Sequence, residues 1–488
     1  MDERLILARA LPPPVDVAVD GFFAGRLSRE LKQELRGWVL IAVGALALAG
    51  FLALILALAR VPGADRVPFL AGEFFKRGLV AHVTFAFVVW YLGVQGAMTV
   101  LVTAGALESP LRAGGVLLGR AALVGAVTSF LLLLTPVLVG LGAPSLNNYI
   151  PMLTHPLYYG GLGLLGASVM LPVLRLLAAL AHARHSEATT FGVAAAGVIF
   201  ITALCCFALA WIMRPAGFDA EGLNEFGMWG GGHILQFANT ALFLCAIYLL
   251  SRIAFGETPL SPGLFKFSMM LMVAAAAVGP LLYLTFEAGD PAQRQAFTDL
   301  YRFALPLPAG FVGVCVLMLL WRRRTDLLGG APEIRGLVAA IVLFTYGGVI
   351  GFLESSVDTR TPAHYHAMLI AVTLMFMALT FAVFLPLLER RSNHRRLRNA
   401  MYLTLGAGQF LHTTGLFVAG ALGVARKTAG AAQGLDSGEK IFAMSLMGLG
   451  GVIAVVGGVI FIVLAGKLLL AKQARGMTAP DPAGAHHA

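Results

Sequence analysis

Long uncharged apolar stretches recur from Trp38 to Leu470, each close to the roughly 20 residues a helix needs to cross the hydrocarbon core of a bilayer. Lipid offers backbone N–H and C=O groups no partners, so a spanning chain must form helices or a closed barrel. Of 488 residues, 58% are hydrophobic and 12% charged, against about 25% charged in soluble domains. A soluble enzyme is excluded. The net charge of +10 does not signal nucleic-acid binding, because the basic residues lie in short loops between apolar runs and not on a folded soluble face. Four cysteines, including the adjacent Cys205 and Cys206, provide neither a disulfide framework nor a CxxC spacing.

Bounding the apolar runs by charge, Pro or Gly predicts twelve spans: 38–59, 79–104, 116–140, 157–180, 191–212, 226–250, 265–286, 297–321, 337–353, 362–387, 401–424 and 441–470. The chain then divides into three segments. Residues 1–37 form an N-terminal segment in which an amphipathic stretch, Phe22–Arg36, is expected on the membrane surface. Residues 38–470 form an all-α membrane domain, and 471–488 a flexible tail. Charge precedes Trp38 at length and no small-residue cleavage site follows the first span, so that span is expected to be retained. Arg322–Arg324 and the cluster Arg390, Arg391, Arg395, Arg396 and Arg398 follow even-numbered spans. By the positive-inside rule both termini then face the cytoplasm.

Ionisable residues inside spans are costly, and the informative ones here are histidines. His82 begins span 2, His233 begins span 6, and His364 and His366 open span 10, all at similar depth in the outer half. Residues two apart on a helix differ by about 200°, so His364 and His366 face opposite sides of span 10 and can serve two cofactors. His366 with His82 could supply the two imidazoles of a bis-histidine heme, and His364 the one of a five-coordinate heme. HxH on a helix cannot put both rings on one ion, which disfavours a metal clamp. The glycines before His233 lack the Lys-Ser or Lys-Thr of a phosphate loop. His412 reads as a packed polar residue; His155, His182, His185 and His394 read as loop or interface residues, and His486 and His487 fall in the tail.

In order along the chain, these histidines and the segments PMLTHPLYYGGLG, GDPAQRQAFTDLYRFALPLPAGF and HTTGLFVAGALGVARK resemble the catalytic subunit I of the heme-copper oxidase and nitric oxide reductase superfamily, most closely its B-type oxidases. The resemblance covers almost the whole chain. It implies a twelve-helix bundle like cytochrome c oxidase subunit I, with two hemes. His82 and His366 would ligate a low-spin heme, His364 a high-spin heme, and Arg426 with Lys427 would neutralise propionates. It also implies dioxygen or nitric oxide as substrate, a bacterial cytoplasmic membrane, a partner subunit carrying copper or heme c, and a cytochrome c or cupredoxin donor.

The chain departs from the family at its second metal. Family oxidases hold copper B with the span-6 histidine and two adjacent histidines on span 7, and the residue four beyond the span-6 histidine is a tyrosine. Here Leu281 and Leu282 stand at the expected pair and Phe237 at the tyrosine, so a copper B site is expected to be absent, with His233 alone retained. His233, Gln236 and Thr240 share one helical stripe that could face the gas, and Tyr283 could supply a phenol. Asp358 and Arg360 either join the propionate network or solvate a loop. Two other functions fit less of this pattern: a non-catalytic electron-transfer or gas-binding heme subunit, and a twelve-span transporter, whose polar sites belong on broken helices near the midplane.

Overall fold

In a computed structural model, residues 27–59, 73–107, 111–148, 150–183, 185–353, 357–428 and 430–471 are described. The N-terminal segment through Arg26, and the tail from residue 472 with His486 and His487, lie outside them. Among the described residues, eleven helices are long and apolar enough to span a membrane: α1 Arg29–Leu56, α2 Phe74–Ala106, α3 Ala113–Val139, α4 Pro156–Leu180, α5 Ala188–Ile212, α6 Ala220–Phe255, α7 Pro262–Thr285, α8 Pro291–Arg322, α9 Pro332–Gly351, α10 Arg360–Leu387 and α12 Gly438–Leu470. Between the last two runs α11, Arg395–Ala421, more polar than its neighbours because its first turns hold Arg395, Arg396 and Arg398. The chain is an all-α membrane bundle. Of the stretch expected on the membrane surface, Phe22–Arg26 lies outside the described residues, and Arg29–Arg36 runs without a break into the first span.

The helices sort into an inner set and an outer ring. Of their apolar windows, 94% of α2, 94% of α6 and 83% of α10 are buried, against 28% of α3 and 33% of α7 and α12. The inner three are those that carry His82, His233, His364 and His366. Outward positions such as Leu117, Leu284 and Leu307 present apolar surface, as lipid contact demands. Helices α11 and α12 approach at backbone distance: a Cβ on Gly408 would meet Ala454 N at 2.4 Å, and one on Gly415 would meet Met447 N at 2.4 Å. Small residues are the usual means of close helix packing in lipid.

Three helices contain π-helical turns: Thr84–Val89 in α2, just after His82, Leu300–Ala304 in α8, and Thr380–Phe384 in α10. Such turns concentrate at functional sites. Between α3 and α4, a hairpin pairs β1 (Pro144–Ser145) antiparallel with β2 (Met152–Leu153) and carries Asn147 and Asn148 in its loop. The segment after α11 is clasped to the one before α10 by an Asp358–Ala425 bridge and a bond from Thr359 N–H to Val424 O at 3.1 Å. At the opposite end of the bundle, Arg175 of α4 donates to both carboxylate oxygens of Glu34 of α1, at 2.8 and 2.9 Å, and to Gly115 O at 3.0 Å. Both side chains of that pair are buried, at 5% and 7% exposure.

Candidate functional site

His82, His364 and His366 all line one cavity of about 260 Å³ between the inner helices. Each of two rings is oriented by a backbone carbonyl: His82 Nδ1 lies 2.9 Å from Ala49 O, and His364 Nδ1 lies 2.8 Å from Gly347 O. A carbonyl only accepts, so Nδ1 carries the proton and Nε2 is the lone-pair nitrogen. Metal-ligating histidines are held in this way by their second nitrogen. The His364 ring fits because residue 351 has no side chain: a Cβ on Gly351 would meet its Nδ1 at 2.6 Å.

The cavity's α6 wall is Gln236, Asn239 and Thr240. Asn239 Nδ2 and both amide atoms of Asn147 are buried and find no hydrogen-bond partner among the described residues, though both side chains line the cavity. Orphaned polar atoms at a cavity wall are costly unless a bound group satisfies them. Arg426, Lys427 and Thr428 line the same cavity. Arg426 donates to Asn148 Oδ1 and Lys427 to Leu146 O, while Asn148 donates through Nδ2 and N–H to Glu225, at 2.5 and 2.8 Å. Burial and the neighbouring Arg426 guanidinium hold the Lys427 ammonium below its ordinary pKa. Basic donors fixed at a cavity's edge suit a carboxylate-bearing group. Asp358 lies outside that lining and pairs with Arg360 at 2.8 Å, within the loop clasp.

Two of the expected site residues are not brought to this cavity. His233 is buried but does not line the cavity. Its Nδ1 lies 2.8 Å from Trp229 O, and its ring packs on Trp229, Phe297 and Tyr301. The helical stripe thus turns Gln236 and Thr240 to the cavity and leaves His233 behind Tyr301. Tyr283 lines a separate cavity of about 190 Å³, with Glu225, Trp229, Arg294 and Phe297. Leu281 is 54% exposed and points outward, so the face of α7 toward the bundle is Met272, Ala276, Gly279 and Tyr283. That face carries no histidine.

Tyr301 was not among the expected residues, and His412, expected as a packed polar residue, packs against a ligand candidate. Tyr301, in the π turn of α8, lines the cavity with its hydroxyl 3.5 Å from His364 Nε2. His412 of α11 packs its ring against that of His366. Neither is adjacent in sequence to a ligand candidate.

The profile of the cytochrome c and quinol oxidase polypeptide I family matches residues 35–470. The chain belongs to that family. As an oxidase polypeptide I it is a multi-pass, subunit I-like protein of the heme-copper oxidase superfamily, a family of electron-transporting oxidoreductases with heme cofactors. An uncharacterized protein of Rickettsia prowazekii is 24% identical to this polypeptide I, over 88% of this chain and 95% of that one. An uncharacterized protein of Aquifex aeolicus is 27% identical, over 70% of this chain and 83% of its own. Among solved structures, a heme-copper terminal oxidase dimer matches with a TM-score of 0.72 at 18% identity, covering 93% of this chain and 86% of that one, a likeness of fold.

Proposed function

We propose that the chain is the heme-bearing core subunit of a respiratory terminal reductase, taking electrons through a low-spin heme to a high-spin heme that binds dioxygen or nitric oxide. The observation that carries this reading is the single cavity lined by His82, His364 and His366, with Arg426 and Lys427 at its edge. The donor set fits heme: the imidazoles of His82 and His364 with carbonyl-fixed rings, that of His366 two residues along α10 from His364, orphaned amides in the wall, and basic groups for propionates. In this reading His82 and His366 hold the low-spin heme and His364 the high-spin heme. The hemes supply the redox chemistry. The protein orients the rings, excludes water with Phe87, Phe344 and Leu305, and neutralises the propionates.

The B-type likeness, both termini in the cytoplasm of a bacterium, a partner subunit carrying copper or heme c, and a cytochrome c or cupredoxin donor belong to the same proposal. They rest on the ordered motifs and the basic clusters Arg322–Arg324 and Arg390–Arg398. A second reading, a non-catalytic heme subunit without copper B, is favoured by one observation: the inward face of α7 carries no histidine, and His233 stands behind Tyr301.

The deciding experiment is the optical difference spectrum of the purified, dithionite-reduced protein with and without carbon monoxide. One CO-sensitive heme beside one insensitive heme is expected. Two hemes blind to CO would transfer the conclusion to the second reading, and a properly assembled protein without heme would end both.

A further inference from the structure

We propose that the cavity of about 190 Å³ beside Tyr283 binds the headgroup of an aminophospholipid, its ammonium among aromatic rings and its phosphate on Arg294. The cavity lies where α6 begins, α7 ends and α8 begins, the level at which helices leave the hydrocarbon for the headgroup layer. Four of its wall residues form a row of rings, Phe218, Phe226, Tyr283 and Phe297. Successive planes are turned by 79°, 86° and 56°, with centroids 6.1, 6.5 and 5.3 Å apart. Rings turned in this way enclose a space instead of filling it with a stack, and a ring face attracts a cation. A Cβ on Gly230 would run into the Tyr283 hydroxyl and the Phe297 ring, so this glycine keeps the space open.

The polar atoms left over decide which cation. Glu225 is engaged, accepting from Asn148 at 2.5 and 2.8 Å and from Arg294 at 2.8 Å. Asp290 commits Oδ1 to Ala292 N–H at 2.8 Å, and Gln293, only 4% exposed, commits Nε2 to Leu282 O at 3.3 Å. Among the described residues, Asp290 Oδ2, Gln293 Oε1 and the hydroxyl of Tyr283 make no hydrogen bond, although Tyr283 is 2% exposed and all three residues line the cavity. Of these groups only the phenol can donate. They call for a positively charged ligand rich in N–H donors: a primary ammonium carries three, a quaternary ammonium none. The Arg294 guanidinium lies 3.8 Å from the Trp229 ring centroid, is half exposed, and has donors beyond the one given to Glu225, so an anion beside the ammonium finds a partner. Flanking Tyr283 on α7, Leu281 and Leu284 are 54% and 74% exposed. Apolar surface beside a charged cavity suits acyl chains, which selects a lipid over a soluble amine.

The test is native mass spectrometry of the delipidated full-length protein in detergent, titrated with dioleoyl phosphatidylethanolamine, phosphatidylcholine and phosphatidylglycerol. Wild type should take up one phosphatidylethanolamine more tightly than either other lipid. Tyr283→Phe and Asp290→Asn should each weaken that uptake roughly three- to ten-fold, the worth of one hydrogen bond, and leave phosphatidylglycerol unaffected. Asparagine keeps the side-chain oxygen that caps α8, so the fold is spared. Glu287→Gln makes the same charge change in the same loop at an exposed side chain outside the cavity, and should match wild type. A lipid-free unfolding temperature equal to that of wild type certifies each variant; Tyr283→Phe, which removes a single oxygen, carries the comparison if Asp290→Asn fails to assemble. Equal affinity for the three lipids overturns the proposal, as does a phosphatidylethanolamine preference that survives the assembled variants. Competition by soluble phosphoethanolamine at the affinity of the lipid overturns it too, because the acyl chains then contribute nothing.

Discussion

His366 and His412 lie ring against ring, with centroids 4.7 Å apart and planes at 62°. His412 has its Nδ1 2.9 Å from Met447 O of α12, so a ring held from α12 packs against a candidate heme ligand on α10. In a bis-histidine heme the angle between the imidazole planes governs the spectrum of the oxidised iron. His412→Leu should therefore retain the low-spin heme but shift its largest electron paramagnetic g value. His366→Ala should remove that heme. An unchanged g value in His412→Leu would show that the ring contact does not set the ligand's angle.

The buried pair of Glu34 and Arg175 ties α1 to α4. Removing one partner leaves an uncompensated charge, which costs about 3–5 kcal/mol in buried settings, whereas an apolar pair of similar volume is near neutral. Arg175→Met is expected to lower the apparent unfolding temperature in detergent sharply, and the double change with Glu34→Leu to recover most of the loss. Gly119→Ala should resemble the single variant, since its Cβ would meet Glu34 Oε2 at 2.2 Å.

Gly351 leaves room for the His364 ring, which a Cβ would approach to 2.6 Å. Overpacking of this kind costs about 1–3 kcal/mol, and here the strain falls on the proposed high-spin ligand. Gly351→Ala should reduce the CO-sensitive absorbance while the low-spin spectrum persists. Equal loss of both would mean that the whole fold, and not the ring, absorbs the added methyl.

Lys427 has its pKa lowered from 10.5 by burial first and by Arg426 second. The unfolded chain therefore binds more protons than the native one between the lowered value and 10.5, so this group's contribution to stability rises with pH across that window. It is complete above 10.5 and lost as pH falls through the native value. Heat-denaturation curves of heme-free protein between pH 8 and 11 should show this rise in wild type and a flatter profile in Lys427→Met.

Much of the architecture was legible because hydropathy and charge are local. Twelve spans were expected, and eleven apolar helices plus the more polar α11 are found. A shared depth of His82, His364 and His366 was legible from the span positions, and all three line one cavity; the offset of about 200° alone pointed His364 and His366 to opposite sides of the helix. What was not legible depends on rotation and on other helices. The i, i+3, i+7 spacing joined His233 to Gln236 and Thr240, but which end of a stripe reaches a cavity is decided by the side chain packed in front of it, here Tyr301. Tyr301 owes its place to a π turn, for which LYRFA carries no known signature. His412 was legible as a packed polar residue, but not its partners, because His366 and Met447 lie on other helices.

The clasp between Asp358 and Ala425 bears on when the protein can be completed. It joins the strand of chain that leads into α10 to the one that leaves α11, so the basic pair and the HxH histidines come together only after α11 has been synthesised and inserted. His82, by contrast, leaves the ribosome early. A nascent chain therefore passes most of its translation with one ligand candidate in the bilayer and no site to join. Under the proposed ligation, cofactor loading would be a late event of biogenesis, and truncation before residue 424 should yield an inserted polypeptide that never acquires colour.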